Sequence, residues 1–334
     1  MVKKKSNRGS KSANYRYSTP SANFKSTTGD GIRRAREHVE SVNAIANPFS
    51  PGARGQKLPD SDSSRSVAVT IKDSFNFSAL SVASGKHAIA INPSLQDCWN
   101  SPTAIGATNI TFGTTQPIND YAAVAAAYSK YRIVSMGVRV YSVLAPTAQS
   151  GNIKVITDAQ PIVDSQTYAY AGSFHEEVDW TGVSGANIHW VSKPIGNGYL
   201  DYIPITDTHS WNTLVIYVDG APDPTTAVFR AEVFLNLECQ VDLGSVSATM
   251  TTKALDHNPL VLAAANNVHN RREHVHNGST PSLSSKLWGL AKSALADIAS
   301  AAIPYVGGAV GGLIRGRGSN LPRIGNGPTI EYVD

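Results

Sequence analysis

The residues best suited to chemistry are a group of histidines and a short acidic run. The stretch HNRREHVH contains His269, His274 and His276, and the stretch HEEVD spans residues 175–179. The histidine spacing matches no zinc motif, so we expect a solvated polar loop there. The carboxylates suit either a hard cation such as calcium at an interface or an acidic strand face, and we favour the strand face.

Other candidate chemistry in the sequence is weaker. The run AVGGLIRGRG is rich in glycine but has neither the P-loop nor the dinucleotide fingerprint, and it does not follow a strand. Cys98 and Cys239 are far apart and form no CxxC or Cys/His motif, which argues against a disulfide framework or a zinc site. No nucleophile has a convincing local base. The sequence therefore predicts no catalytic residues and no enzyme, and no cofactor apart from calcium at an interface.

The elements that must position these residues are β-strands. Runs rich in β-branched and aromatic residues, separated by Gly, Pro, Asn and Asp, predict a strand wherever polar and apolar residues alternate. Eight such runs are found, at 66–77, 86–93, 131–145, 151–158, 173–180, 187–193, 211–220 and 227–241. One helix is predicted at 118–130. We therefore expect an all-β fold, an eight-stranded antiparallel jelly-roll sandwich, over residues 46–250.

The N-terminal region carries most of the positive charge. The whole chain has a net charge of +4, whereas residues 1–36 contain ten basic residues against Asp30 alone, a net charge of +9. The basic residues are Lys3, Lys4, Lys5, Arg8, Lys11, Arg16, Lys25, Arg33, Arg34 and Arg36. A segment of this composition buries little apolar surface, so we expect residues 1–45 to be a disordered arm that binds nucleic acid by neutralising phosphates. A solubilising tail and a nuclear-localisation signal are the alternatives.

A second unusual segment lies near the C-terminus, at 283–314. Its apolar residues follow helical spacing and form one stripe, whereas Lys292 and Ser293 fall on the other face. The residues expected to enter a membrane are Leu287, Trp288, Leu290, Leu295, Ile298 and Ile303. Polar residues interrupt the segment well before the ~20 apolar positions of a spanning helix, so it suits a membrane surface better. Alternatively, the stripe packs on a partner or on the core. A polar linker (251–282) precedes this helix and a tail (315–334) follows it.

Several short motifs occur in the order found in nodavirus coat proteins. They are GQKLPD (55–60), YRIVSMGVRVY followed by GNIKV, WNTLVIYVDGAP (211–222), VFLNLE (233–238) and KLWGLAKSALADIASAAIPYVGGAVGG. From about residue 40 to 315 the chain resembles this family, and it also resembles related single-jelly-roll coats of noda-like and tombus-like viruses. The resemblance implies a virus capsid protein whose terminal segments both lie inside the shell.

This resemblance implies specific partners and locations. Copies of the chain are expected to form a quasi-equivalent icosahedral shell, with T=3 as the expected symmetry. The arm would package the viral genome, RNA in preference to single-stranded DNA, because a shell interior needs cations to offset phosphate. The C-terminal helix would contact the host membrane during entry. No apolar segment follows the N-terminal lysines, so we expect assembly in the host cytoplasm and a final location in the virion.

The family's maturation and calcium residues do not carry over. Nodavirus coat proteins are cleaved at an asparagine before the lytic helix with help from a buried aspartate, and alignment places Ser284 and Phe49 at these positions. A calcium-binding aspartate of the family aligns with Ala126. We therefore expect little or no cleavage. A cellular nucleic-acid-binding β-sandwich protein is the alternative function, and it would have no need of the terminal helix.

Overall fold

The structure is a computed structural model of the chain. It describes residues 27–62, 64–77, 85–145, 152–169, 176–181, 187–220, 229–241, 246–271, 275–277, 289 and 291–294.

Three helices and fourteen strands are defined within these residues. The helices are α1 (Thr27–Ala46), α2 (Tyr121–Ala127) and α3 (Pro259–Arg271). The strands are β1 (Val67–Phe77), β2 (His87–Ile91), β3 (Trp99–Asn100), β4 (Pro102–Ile105), β5 (Asn109–Phe112), β6 (Lys130–Ser142), β7 (Asn152–Asp158), β8 (Thr167–Ala169), β9 (Glu176–Thr181), β10 (Asn187–Val191), β11 (Ile203–Pro204), β12 (Thr213–Asp219), β13 (Phe229–Gln240) and β14 (Val275–Asn277).

Antiparallel sheets dominate the fold, as the sequence predicts. All eight predicted runs contain a strand, and the six further strands in the described residues are short. The first sheet has the order β1-β13-β6-β10-β14, with β11 also paired to β6, and the second has the order β3-β2-β12-β7-β9. A third sheet, β4-β5-β8, is separate from both. The predicted helix at 118–130 is the shorter α2.

Alternation along the strands explains how the first two sheets enclose the main core. On β13, Ala231, Val233 and Leu235 are fully buried in one cluster, which also contains Leu214 and Ile216 from β12 of the second sheet. The residues between these positions point to the opposite face of each sheet. The outer face of the second sheet packs against the third sheet through a separate apolar cluster.

Helix α1 corrects the predicted boundary of the disordered arm. Residues 27–45 were expected to be disordered, but α1 begins at Thr27, and Val39, Val42 and Ile45 lie in the main core. Their spacing of three residues places them on one helix face, and burying that face stabilises a helix that composition alone does not favour. The chain then leaves the helix at Asn47, directly before Pro48.

Helix α3 corrects the predicted polar linker at 251–282. Its apolar residues Val261, Ala264 and Val268 are buried in the main core. Asn258 caps its start, because the side-chain Oδ1 accepts a hydrogen bond from the N–H of Val261 at 3.2 Å. The Asn258 side chain also lies 3.1 Å from Nε2 of His38 in α1, which links the two helices.

His269, the first residue of the histidine-rich stretch, is buried and not solvated. His269 in α3 is 1% exposed, and its ring packs edge to face on Trp211 with a centroid distance of 5.7 Å. The aromatic contact explains why a polar residue faces the core at this position.

Candidate functional site

Two groups of charged residues lie on the outer face of the first sheet. After α1 the chain crosses this face: Asn236 Nδ2 of β13 donates to the Pro48 carbonyl at 3.2 Å. The Phe49 ring packs edge to face on Phe234 at 5.0 Å. Gly137 makes this close approach possible, because a Cβ there would lie 2.5 Å from Pro48 and 2.8 Å from Phe49.

At one end of this face lies a closed group of charges, here called the neutral cluster: Lys57, Asp60, Arg132 and Glu238. Arg132 donates to Glu238 Oε2 through Nε at 3.0 Å and through Nη2 at 2.7 Å, and it also pairs with Asp60. The side chains of Arg132 and Glu238 are 1% and 0% exposed. Two cations and two carboxylates balance one another, so the buried charges are paired.

Hydrogen bonds complete the neutral cluster. Lys57 Nζ donates to the carbonyls of Ser66 at 2.8 Å and Thr252 at 3.0 Å, which ties the segment after α1 to the segment before α3. Burial would lower the pKa of Arg132, but its hydrogen bond to Asp60 and the charge of Glu238 outweigh burial and raise that pKa. Burial lowers the pKa of Lys57. We assign the neutral cluster to stability, because its members face one another and not solvent.

Further along the same face lies an open group of charges, here called the cationic patch: Lys72, Arg139 and Arg230 around Glu232. Lys72 Nζ lies 3.2 Å, Arg139 Nη1 3.4 Å and Arg230 Nε 3.9 Å from Glu232 oxygens. The Lys72, Arg139 and Arg230 side chains are 49%, 24% and 39% exposed, whereas Glu232 is 8% exposed. Three cations against one carboxylate leave an excess of positive charge that is open to solvent.

Aromatic and polar neighbours hold the cations of the patch in place. The Phe234 ring lies 5.2 Å from Lys72 Nζ and 5.3 Å from Arg139 Cζ, within the range of cation–π contacts. Arg139 Nε donates to His189 Nε2 at 2.9 Å, and Arg230 Nη2 donates to the Ser74 hydroxyl at 2.8 Å. The patch is thus a group of oriented donors, which sequence reasoning missed although alternation on β1, β6 and β13 places these residues opposite the core.

The residues predicted to bind nucleic acid lie mostly beyond the described part of the chain. Lys3, Lys4, Lys5, Arg8, Lys11, Arg16 and Lys25 fall outside the described residues. Arg33 and Arg34 lie within α1, where only the backbone is described. Arg36 has a 76% exposed side chain and pairs with Glu40 one turn along α1 at 2.8 Å. The structure therefore leaves the nucleic-acid role of these residues as a prediction.

The residues predicted to be membrane-active lie outside the described residues as well: Leu287, Trp288, Leu290, Leu295, Ile298 and Ile303. Residues 291–294, which lie between Leu290 and Leu295, are helical. Their side-chain burial follows the predicted apolar stripe. Ala291 and Ala294 are 0% and 1% exposed in the main core, whereas Lys292 and Ser293 are exposed. In this part of the segment the apolar stripe packs on the protein's own core. Among the described helices, none has the length and apolar character needed to cross a membrane.

Of the positions implied by the family's maturation and calcium chemistry, Phe49 and Ala126 lie within the described residues. Phe49 packs between Phe234 and His189 and offers no group for proton transfer. Ser284 lies outside the described residues, and Ala126 is an exposed residue of α2. The thiols are inert, since burial raises the pKa of Cys98 and raises that of Cys239 to about 12.

One surface cleft brings two carboxylates together. Asp97 and Asp164 line a cleft of about 230 Å³, and the Thr115 hydroxyl lies 2.7 Å from Asp97 Oδ1 and 2.8 Å from Asp164 Oδ1. Oxygen ligands of this kind suit calcium, but calcium takes six to eight of them. Within the described residues no group of three or more His, Cys, Asp or Glu side chains is placed to hold a metal ion.

Two buried histidines are held in the neutral form. Burial lowers the pKa of His87 to about 4, and its ring stacks on Phe77 with a centroid distance of 5.3 Å. Burial also lowers the pKa of His209 to about 4. Nδ1 of His209 accepts a hydrogen bond from the Ser210 N–H at 3.0 Å, so protonation of this ring would break an existing contact.

Comparison with protein-family models and with curated proteins finds no match. A solved structure does share the fold, and others show a weaker likeness. A chain of the T13 particle of infectious bursal disease virus superposes with a TM-score of 0.55 and 10% identity, covering 79% of this chain and 99% of that chain. A chain from T=1 particles derived from infectious bursal virus has a TM-score of 0.49 and 11% identity, covering 74% and 95%.

A chain of turnip yellow mosaic virus has a TM-score of 0.30 and 14% identity, covering 57% of this chain and 88% of that chain. These neighbours are proteins of virus particles, and the first is from an icosahedral virus. At 10% identity the likeness to the first is one of fold, and it extends over nearly that whole chain.

Proposed function

We propose that this chain is the coat protein of a non-enveloped icosahedral virus and that copies of it assemble into the shell. The strand order carries the proposal. Among the eight predicted strands, the first lies beside the eighth, the eighth beside the third and the third beside the sixth in one sheet. In the other sheet the second lies beside the seventh, the seventh beside the fourth and the fourth beside the fifth.

This order supports the proposed jelly roll of two Greek keys, an architecture common in viral capsids but shared with lectins and cupins. The likeness to the T13 particle chain, which is covered over 99% of its length, favours the capsid over those alternatives. The neutral cluster also agrees with a structural role, because its charged groups pair with one another and stabilise the fold. Sequence motifs support a nodavirus-like coat, with T=3 as the proposed shell symmetry.

The proposal extends to the two terminal segments. The basic residues at 1–36 would neutralise packaged genome, with RNA favoured over DNA by the nodavirus resemblance. The C-terminal helix would act on the host membrane only after it leaves the body of the subunit, because Ala291 and Ala294 are packed in the main core. Assembly would take place in the host cytoplasm, and the mature protein would reside in the virion.

Electron microscopy of the purified full-length protein tests the proposed function. We expect closed shells of uniform diameter, and a sedimentation profile with one fast particle peak. A stable monomer that binds RNA without forming shells would contradict the capsid function and favour a cellular nucleic-acid-binding β-sandwich protein. The neutral-cluster variant Arg132→Met serves as a control, because a destabilised subunit should lower the yield of shells without making a new type of particle.

A further inference from the structure

We propose that the cationic patch binds phosphates of the packaged nucleic acid, in addition to the basic N-terminal arm. This inference rests on the proposed capsid function, which supplies the nucleic acid. It concerns Lys72, Arg139 and Arg230, three residues on neighbouring strands whose side chains lie on the outer face of the first sheet.

The charge balance of the patch points to an anionic ligand. The neutral cluster on the same face has two cations and two carboxylates, and its central Arg132–Glu238 pair is buried. The patch has three cations around Glu232, and the Lys72 and Arg230 side chains remain 49% and 39% exposed. A partly exposed excess of positive charge attracts polyanions, and its bound counterions are released when phosphates take their place.

The position of the patch favours nucleic acid over a second copy of the chain. The outer face of the second sheet is covered by the third sheet, whereas the part of the first sheet that carries the patch leaves the Lys72 and Arg230 side chains 49% and 39% exposed. Helix α1, which follows the basic arm, leads directly to Phe49 on that face, 5.5 Å from the Arg139 guanidinium carbon. Because α1 has 20 residues, its first residue is about 30 Å from its last. The arm and the patch can therefore contact the same nucleic acid.

The geometry suits a phosphate backbone. Arg139 and Lys72 are oriented by Phe234, and Arg230 by Ser74, so little side-chain freedom remains to be lost on binding. An ammonium has three N–H groups and a guanidinium has five, which is more than the contacts of Lys72 and Arg230 to Glu232 and Ser74 use. Contacts of this kind position a strand without reading its sequence.

The test uses the full-length chain with Lys72→Gln and Arg230→Gln together. Arg139 is left intact because it also contacts Phe49 and His189. Binding of a fluorescein-labelled single-stranded RNA oligonucleotide to dissociated subunits is measured from 0.05 to 0.5 M salt. Each lost phosphate contact lowers the slope of log K against log salt by about 0.7, so the double variant should lose about 1.4 and bind roughly tenfold more weakly at 0.15 M salt.

Two control variants separate the patch from general charge. Lys130→Gln with Lys253→Gln removes the same charge from exposed positions outside the patch, and its slope should match that of the wild type. Lys72→Arg with Arg230→Lys keeps the charges and should retain binding. In purified particles the ratio of absorbance at 260 nm to that at 280 nm should fall for the glutamine patch variant only.

The outcomes distinguish this inference from the capsid function. If wild-type protein forms no particles, the proposed capsid function is wrong. The slopes of log K for RNA binding against log salt still test the patch in that case. If particles form but the patch variant keeps the wild-type slope and nucleic-acid content, the inference is wrong. An unchanged slope with altered particle size or yield would assign the patch to a contact with a second copy. An equal loss in the Lys130 and Lys253 control would show that net charge alone governs binding.

Discussion

Replacing Arg132 by methionine should destabilise the fold more than any surface substitution in the described chain. Methionine keeps most of the side-chain volume but removes the guanidinium, which makes two hydrogen bonds to Glu238, one to the Leu200 carbonyl at 2.9 Å and a pairing with Asp60. The Glu238 carboxylate then remains in a site where it is 0% exposed. A buried charge that loses its partner typically costs about 3–5 kcal/mol of unfolding free energy.

The assay is urea unfolding of the full chain at a concentration at which sedimentation shows a monomer. Trp190 and Trp211 are 0% and 1% exposed, so their fluorescence changes when the core opens. Arg36→Met is the matched control, because it removes a guanidinium from a 76% exposed ion pair and should cost about 0.5 kcal/mol or less. The combination of Arg132→Met with Glu238→Gln should recover a large part of the loss, since a neutral amide is less costly to bury.

Two results would refute this reasoning. If Arg132→Met lowered the unfolding free energy by less than about 1 kcal/mol, the buried charges would not depend on one another as their distances imply. If the double variant were less stable than the sum of the two single changes, Glu238 would be stabilised by groups other than Arg132. Ser66 and the Leu58 N–H, which also hydrogen bond to Glu238, are the described candidates.

Four other predictions follow from the described contacts and from the terminal segments. Gly137→Ala should lower the unfolding free energy by about 1–3 kcal/mol, because the added Cβ would clash with Pro48 and Phe49 where the chain crosses the sheet. The control is Gly289→Ala, which should be neutral or stabilising because nothing lies within 4 Å of its added Cβ; thermal melts compare the two variants. As the pH falls from about 6.5 to about 4, His87 should contribute a stability loss of up to about 3 kcal/mol, because the unfolded chain protonates His87 before the folded chain does, and His209 should add a similar loss; His87→Phe should remove the His87 share, and an unchanged curve would assign the effect elsewhere. Deleting residues 1–26 should leave α1 in place and lower the 260 to 280 nm absorbance ratio of purified particles, whereas an unchanged ratio would give the arm another role. A peptide of residues 283–314 should release dye from liposomes and Leu295→Asp should suppress that release, whereas an inert wild-type peptide would identify the stripe as a packing surface only.

The long strands were predictable from the sequence because alternation directly records which side chains face the core. On β13 the alternating residues Phe229, Ala231, Val233, Leu235 and Leu237 are all buried in the main core, as the pattern requires. The strands β4, β5 and β8 have only four, four and three residues. So few positions give no reliable period, and the third sheet could not be identified from the sequence.

Helices α1 and α3 were missed for different reasons. The charge and polar composition of residues 1–36 suggested disorder across the whole N-terminal region, although Val39, Val42 and Ile45 already had helical spacing. In α3, Asn and His residues interrupt the apolar pattern, and His269 is buried against the ring of Trp211. In both segments, tertiary contacts determine that a helix forms.

The two charge groups show what sequence can and cannot provide about a site. On β6, Arg132 and Arg139 are seven residues apart and share one face only because the β6–β13 register shifts between Asn236 and Leu237. On β13, alternation does place Arg230, Glu232 and Glu238 opposite the core, so a charged sheet face was predictable. Their pairing was not, because Asp60 is separated from Arg132 by 72 residues and Glu238 by 106. Which charges become paired, and which remain in surplus, depends on strand register.

The separation of the two apolar clusters makes the third sheet a natural position for added sequence. Ile110, Phe112 and Tyr168 pack only in the smaller cluster, apart from the main core that α1, α3 and the first two sheets share. The turn at 106–108, between β4 and β5, is exposed. A foreign epitope inserted in that turn would be presented on the side of the chain away from the cationic patch, so under the proposed capsid function it would be displayed on the shell surface opposite the patch.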